Sequence, residues 1–409
     1  MAKADFRQIG PGIVVAATGL GAGDIVAASQ AGARFGTILL WAVLVGGILK
    51  FVLNEGLARW QLVTGTTLLE GWIQRLPRFV SGYFAAYLCL WSYMVSAAMM
   101  AACGLAAFAL WPVLSVAQWG AVHAVVAGIL VVSGGYQLLE TAMKVFVGLM
   151  FVSILLCAVL VAPSAGDILS GLVIPSLPDD SLAMVLGVMG GVGGSVTVMS
   201  YGYWMREAGF TGRDSMASMR LDLGVAYGLT ALFGIAIIVV SAGVQPELAA
   251  GNNMALAVAE RIENVLGAWG KWVFLAGFWG AVFTSMIGVW HGVPYLFADF
   301  VTTLRQKSTG ADQAAAPSLT STWLYRGYLA AMVILPMPLL ILQRPVWVVV
   351  AYAVTGAFFM PLLAALLLYM NSWRHWLDDQ RSGWLNKSAL AGCLLLFGWL
   401  LLNELSSYF

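Results

Sequence analysis

Residues 18–24 read Thr-Gly-Leu-Gly-Ala-Gly-Asp, and residues 190–202 read Gly-Gly-Val-Gly-Gly-Ser-Val-Thr-Val-Met-Ser-Tyr-Gly. Both stretches lie inside long apolar runs, although each glycine costs a helix about 1 kcal/mol relative to alanine. Irregular backbone at membrane depth is tolerated only where it is buried in protein or lines a water-filled cavity. The two stretches therefore predict two membrane helices that are broken in the middle, around a polar site.

The composition of the chain agrees with a membrane protein. Its 409 residues are 61% hydrophobic and 10% charged, whereas an average soluble domain carries about 25% charged residues. The net charge is +1 and no long run of Lys and Arg occurs, which argues against a nucleic-acid-binding protein. The first apolar run lacks an A-x-A-like site at the end of a short core, so a cleaved signal peptide is not expected.

Apolar segments of about 20 residues predict membrane spans. Eleven such segments occur, with no soluble domain expected between them. Lys and Arg collect at one set of span ends, which predicts a cytoplasmic N-terminus in the cell inner (plasma) membrane. The predicted spans are 10–35, 36–59, 79–110, 117–133, 137–163, 183–209, 219–244, 266–303, 323–343, 346–371 and 385–407.

The two glycine-rich stretches fall in the first span of each group of five. This placement predicts an inverted repeat whose substrate site lies at two discontinuous helices near the membrane midplane. The repeats are expected over 1–163 and 183–371, with an eleventh helix over 385–409 and an irregular outward connection over 164–182. The predicted fold is an all-α, polytopic membrane protein. An alternative reading of the glycines is close helix packing.

Asp24 is the most informative single residue of the first stretch. A carboxylate near the membrane midplane costs at least about 2.5–3.5 kcal/mol and by default indicates a functional site. Its oxygens, with backbone carbonyls freed by the break, suit a hard cation. Asp24 is also a candidate N-cap for the helix that follows, and the two roles are compatible.

Other polar groups within the spans have simpler explanations. Glu55–Arg59 and Glu140–Lys144 are spaced i,i+4 and are expected to neutralise each other. Single histidines without a cluster are expected to be structural. The remaining charges and histidines of interest are Lys50, Asp222, His123 and His291.

Four segments resemble one known family. Residues 10–12 (Gly-Pro-Gly), 30–36 (Gln-Ala-Gly-Ala-Arg-Phe-Gly) and 57–59 (Leu-Ala-Arg) resemble the opening of the Nramp divalent-metal transporters, and residues 171–178 resemble the loop before that family's sixth helix. The resemblance implies a five-plus-five inverted repeat with an eleventh helix, in the LeuT-type fold of the sodium symporters. It also implies that a metal ion is the transported substrate.

The chain departs from the family at both breaks. Where the family carries Asp-Pro-Gly-Asn, residues 21–24 read Gly-Ala-Gly-Asp. Where it carries Met-Pro-His-Asn, this chain has either Met199 or Val198 at the methionine position, depending on the register. The third span also lacks the family's proton-passing acids over 90–109. These departures resemble the divergent Nramp-related branch that includes magnesium transporters not coupled to protons.

The expected function is transport of a divalent cation, Mg²⁺ or Mn²⁺, by alternating access with weak or no proton coupling. No cofactor is expected, and the chain is expected to act as a monomer in the lipid bilayer. Oxygen-rich side chains suit a hard ion. The candidate metal ligands are Asp24, Gly21, Thr18, Ser195, Thr197, Met199, Ser200 and Tyr201.

Two other functions are compatible with parts of this pattern. A symporter of an organic solute such as an amino acid would place the substrate amine against Asp24. A membrane-embedded enzyme or a non-transporting receptor is disfavoured, because the chain has no HExxH, CxxC or GxSxG motif and no extramembrane domain.

Overall fold

The computed structural model describes residues 11–12, 21, 23–134, 137–191, 196–309, 319–372, 374–377 and 383–406, and these ranges contain helices and no strands. The α-helices are α1 (Ala28–Phe35), α2 (Leu40–Thr64), α3 (Leu68–Arg75), α4 (Arg78–Leu110), α5 (Val116–Ser133), α6 (Gln137–Val161), α7 (Ala165–Val173), α8 (Leu182–Gly191), α9 (Tyr201–Glu207), α10 (Met216–Ser241), α11 (Pro246–Ala250), α12 (Met254–Leu266), α13 (Ala268–Thr309), α14 (Trp323–Ile334), α15 (Pro345–Ala357), α16 (Phe359–Met370), α17 (Arg374–Leu377) and α18 (Trp384–Ser406).

Long apolar helices dominate the structure, as the composition predicts. Within the described residues, seven helical segments are long and apolar enough to cross a membrane, or eight if the bent pair α6 and α7 is one span. The third predicted span, 79–110, corresponds to α4. Parts of the predicted first and sixth spans, residues 13–20, 22 and 192–195, lie outside the described residues, so the total of eleven stays a prediction.

The longest helix, α13, runs for 42 residues and packs against α4, α5, α6, α12 and α14. Its contact with α4 joins the third and eighth predicted spans. Large aromatic side chains fill this region, including Phe84 of α4, whose ring meets Phe300 of α13 edge-on at 5.4 Å between centroids. The core is therefore an intramolecular helix bundle.

The connection predicted over 164–182 as an irregular loop contains the helix α7. Ser164 caps this helix by accepting a hydrogen bond from the Asp167 N–H, and α7 lies at 116° to the preceding helix. Further along, the carbonyl of Ser176 accepts a hydrogen bond from the Trp41 indole at 3.1 Å. The connection is thus pinned to the start of α2, which its Pro- and Asp-rich composition did not predict.

Helices α4 and α5 approach each other closely at two glycines. A Cβ atom at Gly104 would overlap the carbonyl oxygen of Val116, and one at Gly120 would lie 2.5 Å from the carbonyl oxygen of Met100. Small residues allow this kind of backbone approach between membrane helices.

We expect Gly104→Ala to lower the free energy of unfolding by about 1–3 kcal/mol, because α5 must shift to admit the methyl group. Gly82→Ala, on the same helix, is the matched control, since a Cβ there meets nothing within 4 Å. Thermal unfolding of both variants in one detergent measures the difference. Equal unfolding temperatures would contradict the predicted overlap.

Candidate functional site

The described part of the first break begins at Gly21. Gly21 is buried, and its carbonyl accepts a hydrogen bond from the Ile25 N–H at 3.2 Å. Residues Gly23–Ala27 form a π-helical turn that leads into α1. Turns of this type are rare and occur frequently at functional sites. The backbone of Asp24 lies in this turn, whereas its side chain and the whole of Thr18 lie outside the described residues.

The second break separates α8 from α9. Helix α8 ends at Gly191, a 3₁₀ turn spans Val196–Ser200, and α9 begins at Tyr201. Residues 192–195, including the candidate ligand Ser195, lie outside the described residues, as does the side chain of Thr197. A 3₁₀ stretch within a membrane-spanning helix often indicates a hinge or a functional position.

The described side chains of the second break are buried. Val198, Met199 and Ser200 are each at most 4% exposed. Ser200 faces α13, since a Cβ at Gly292 would lie 3.3 Å from the Ser200 hydroxyl oxygen. Because Val198 and Met199 are both buried, burial does not distinguish the two alignments with the family, and the ligand role of Met199 stays a prediction.

The turn that follows the first glycine-rich stretch contacts the helix that leads to the second. The turn Gly23–Ala27 packs against α8 and α15, and the turn Val196–Ser200 packs against α2, α9 and α13. The segment that carries Asp24 is therefore in contact with the half-helix that ends at the second break. This arrangement agrees with a single site shared by the two broken helices.

Tyr201, a predicted ligand, is completely buried and its hydroxyl donates to Asp222 Oδ2 at 2.9 Å. The same oxygen accepts a hydrogen bond from the backbone N–H of Gly12 at 2.6 Å. Asp222 therefore connects α9 to the beginning of the first span. In the sequence, Asp222 is recognisable only as an acid inside an apolar run. Its partners Tyr201 and Gly12 are 21 and 210 positions away, and no sequence pattern pairs residues at such separations.

We expect Tyr201→Phe to lower the free energy of unfolding by about 1–2 kcal/mol, because the buried Asp222 loses a donor. Asp222→Asn should lower it as well, and the double variant should lose less than the sum of the two, as for any directly bonded pair. Chemical unfolding of the three variants tests this. Additive losses would rule out the predicted coupling.

Glu55 and Arg59, in the second half of α2, belong to a cluster of charged and polar side chains. Glu55 bonds Arg59, as the i,i+4 spacing predicts, and its carboxylate also accepts bonds from Arg220 and Asn386, each at 3.0 Å. The cluster joins α2, α10 and α18. The side chains of the other predicted pair, Glu140 and Lys144, lie outside the described residues.

His123 has a structural role, as expected for a lone histidine. Its Nε2 accepts a hydrogen bond from the Trp279 indole at 2.8 Å, and its Nδ1 lies 2.7 Å from the Trp119 carbonyl. Both ring nitrogens are therefore engaged within the protein. Among the described side chains, no group of three or more His, Cys, Asp or Glu is arranged to hold a metal ion.

Comparison with known proteins identifies the family. The family model "Natural resistance-associated macrophage protein-like" (Nramp) matches residues 12–406. The divalent metal cation transporter MntH of Verminephrobacter eiseniae is 27% identical over 256 residues, which cover 57% of this chain and 55% of the relative. Metal transporter Nramp5 of Oryza sativa subsp. japonica is 26% identical over 254 residues, covering 58% and 46%. The chain spans about half the length of these curated relatives.

Solved structures share the fold. A crystal structure of the Eremococcus coleocola manganese transporter superposes with a TM-score of 0.71 at 14% identity, covering 98% of this chain and 86% of that one. MhsT in complex with L-phenylalanine superposes with a TM-score of 0.62 at 16% identity, covering 100% and 99%. The all-α architecture is thus shared with these solved structures, and the match over residues 12–406 makes this chain a member of the Nramp family.

Proposed function

We propose that this chain carries a divalent metal cation across the membrane, through a site formed by its two broken helices. The observation that carries the proposal is the packing of the turn that bears Asp24 against α8, the half-helix that ends at the second break. Freed carbonyls at a helix end and a carboxylate are the groups that a hard cation binds. Relatives named as divalent metal cation transporters support the same class of substrate.

Asp24 is the proposed charged ligand. Carbonyl groups near Gly21 and the polar groups of residues 195–201 would complete the coordination, with water molecules where side chains fall short. The Gly21 carbonyl already accepts one hydrogen bond, but a carbonyl oxygen has two lone pairs. The oxygen-rich composition of this set favours Mg²⁺ or Mn²⁺ over Fe²⁺.

Transport is proposed to occur by alternating access, with the broken helices moving against the α4–α13 pair. The missing acids over 90–109 favour weak or no proton coupling. The membrane potential would then supply the driving force, at about 4.6 kcal/mol per 100 mV for two charges moved inward. We further propose that the N-terminus is cytoplasmic and that 1–163 and 183–371 are the two inverted repeats.

Uptake by the purified protein in liposomes tests this function. With an inside-negative potassium diffusion potential, we expect Mn²⁺ to accumulate, excess Mg²⁺ to compete, and an internal pH dye to show no matching proton entry. Liposomes without protein are the blank. No potential-driven Mn²⁺ or Mg²⁺ entry above that blank would refute the proposal.

A further inference from the structure

Lys50 is a fully buried cation in the middle of the second predicted span. It lies in α2 within an apolar run, and none of its surface is exposed. Lysines in membrane helices usually extend toward the interface, because an ammonium group in the membrane interior is costly. A lysine that stays inside indicates a partner or a function there.

The Lys50 ammonium group binds the C-terminal end of α8, the helix that precedes the second break. Its Nζ donates to the carbonyl oxygen of Gly190 at 2.7 Å, and Gly190 is the penultimate residue of α8. The last carbonyls of a helix lack intrahelical donors and carry the negative end of the helix dipole. Lys50 therefore occupies a position at the break that itself favours a cation.

The surrounding backbone is built to allow this contact. One turn before Lys50, a Cβ at Gly46 would lie 3.1 Å from the Met189 Cα, so α2 and α8 touch almost backbone to backbone. On the other side, a Cβ at Gly190 would overlap the carbonyl oxygen of Ala353 in α15. The end of α8 is thus enclosed by α2 and α15, with the lysine side chain reaching into it.

The same half-helix also contacts the turn Gly23–Ala27, whose backbone includes the proposed metal ligand Asp24. A fixed positive charge in this region has two consequences. It repels a bound dication and weakens its binding. It would also balance the charge of a metal-binding carboxylate when no metal is bound, so that the empty carrier could return without taking up a proton.

We propose that Lys50 is a fixed positive charge that balances the carboxylate of the proposed metal site when no metal is bound. In this role Lys50 limits the affinity of the site for the metal and takes the place of a co-transported proton. This inference rests on the function proposed above. Lys50 is not proposed as a metal ligand, because its ammonium group bonds a backbone carbonyl. It acts on the metal only through its charge.

Lys50→Gln removes the charge but keeps a side-chain N–H donor, one bond shorter in reach than the ammonium group. We expect this variant to bind Mn²⁺ at least about tenfold more tightly in detergent solution. In liposomes we expect Mn²⁺/Mn²⁺ exchange to persist while net Mn²⁺ uptake slows about tenfold, since the empty site must return with an unbalanced carboxylate. A purely structural role would alter exchange and net uptake together.

Lys271→Gln is the matched control, because Lys271 forms a partly exposed ion pair with Glu263 and should leave both transport modes unchanged. Lys50→Met provides a second variant in case the glutamine variant does not fold. Unchanged Mn²⁺ affinity and unchanged net uptake in the folded Lys50 variant, with normal uptake by the unaltered protein, would overturn this inference alone. Absence of Mn²⁺ and Mg²⁺ uptake by the unaltered protein would instead refute the proposed function.

Discussion

Replacing Asp24 with alanine is expected to reduce Mn²⁺ uptake into liposomes by at least about 100-fold, equivalent to about 2.7 kcal/mol. The site would lose its proposed charged ligand, and a water molecule in its place would bring no charge to offset a dication at membrane depth. The measurement is the initial rate of uptake at a fixed diffusion potential, normalised to the amount of folded protein in the liposomes.

Asp24→Asn distinguishes the ligand role from helix capping. Asparagine caps helices about as well as aspartate, so a capping residue would tolerate this change whereas a charged ligand would not. Asp167→Ala is the matched control, because Asp167 is an exposed acid in the first turn of α7. Uptake by the Asn variant at the level of the unaltered protein would show that transport needs no charge at position 24 and would overturn the proposed charged ligand.

Glu55→Ala is expected to have the largest effect on stability, lowering the free energy of unfolding by about 3–5 kcal/mol. Glu55 and Arg59 have side chains only 4% and 5% exposed, so removing the carboxylate leaves a buried guanidinium without this partner. The bonds from Arg220 and Asn386 are lost at the same time. Thermal unfolding in detergent measures the loss.

Glu263→Ala is the control for this change. Glu263 pairs with Lys271 at 2.7 Å, but its side chain is 35% exposed, and exposed pairs contribute about 0–1 kcal/mol. The comparison therefore sets a buried carboxylate with several donors against a partly exposed one with a single partner. Similar unfolding temperatures for the two variants would show that the Glu55 cluster does not stabilise the bundle.

The apolar spans could be predicted well because membrane insertion imposes a length and a composition that are visible locally. The prediction 79–110 differs by one residue from α4, and 117–133 by one residue from α5. The short helices α3, α7, α11 and α12 were not predicted. They lie between spans, and their formation depends on caps and tertiary contacts, such as the Ser164 cap of α7, rather than on a long apolar run.

The site was predictable only in part for a similar reason. Glycine clusters indicate where a membrane helix is hard to continue, and the described residues have a π-helical turn at Gly23–Ala27 and a 3₁₀ turn at Val196–Ser200 beside these clusters. The bond between Lys50 and Gly190 joins residues 140 positions apart, and that between Gly12 and Asp222 joins residues 210 positions apart. No periodicity in a single sequence pairs such residues, and only the packing of α2, α8 and α10 brings them together.

The contact between Trp41 and Ser176 sets an order on how the chain can be assembled. These residues are 135 positions apart, so their hydrogen bond cannot form until all the intervening chain has been synthesised. At roughly 5–20 residues per second, the start of α2 waits about 7–27 s for this partner. A nascent chain halted before residue 176 would hold its first five predicted spans with that indole N–H still lacking the Ser176 carbonyl.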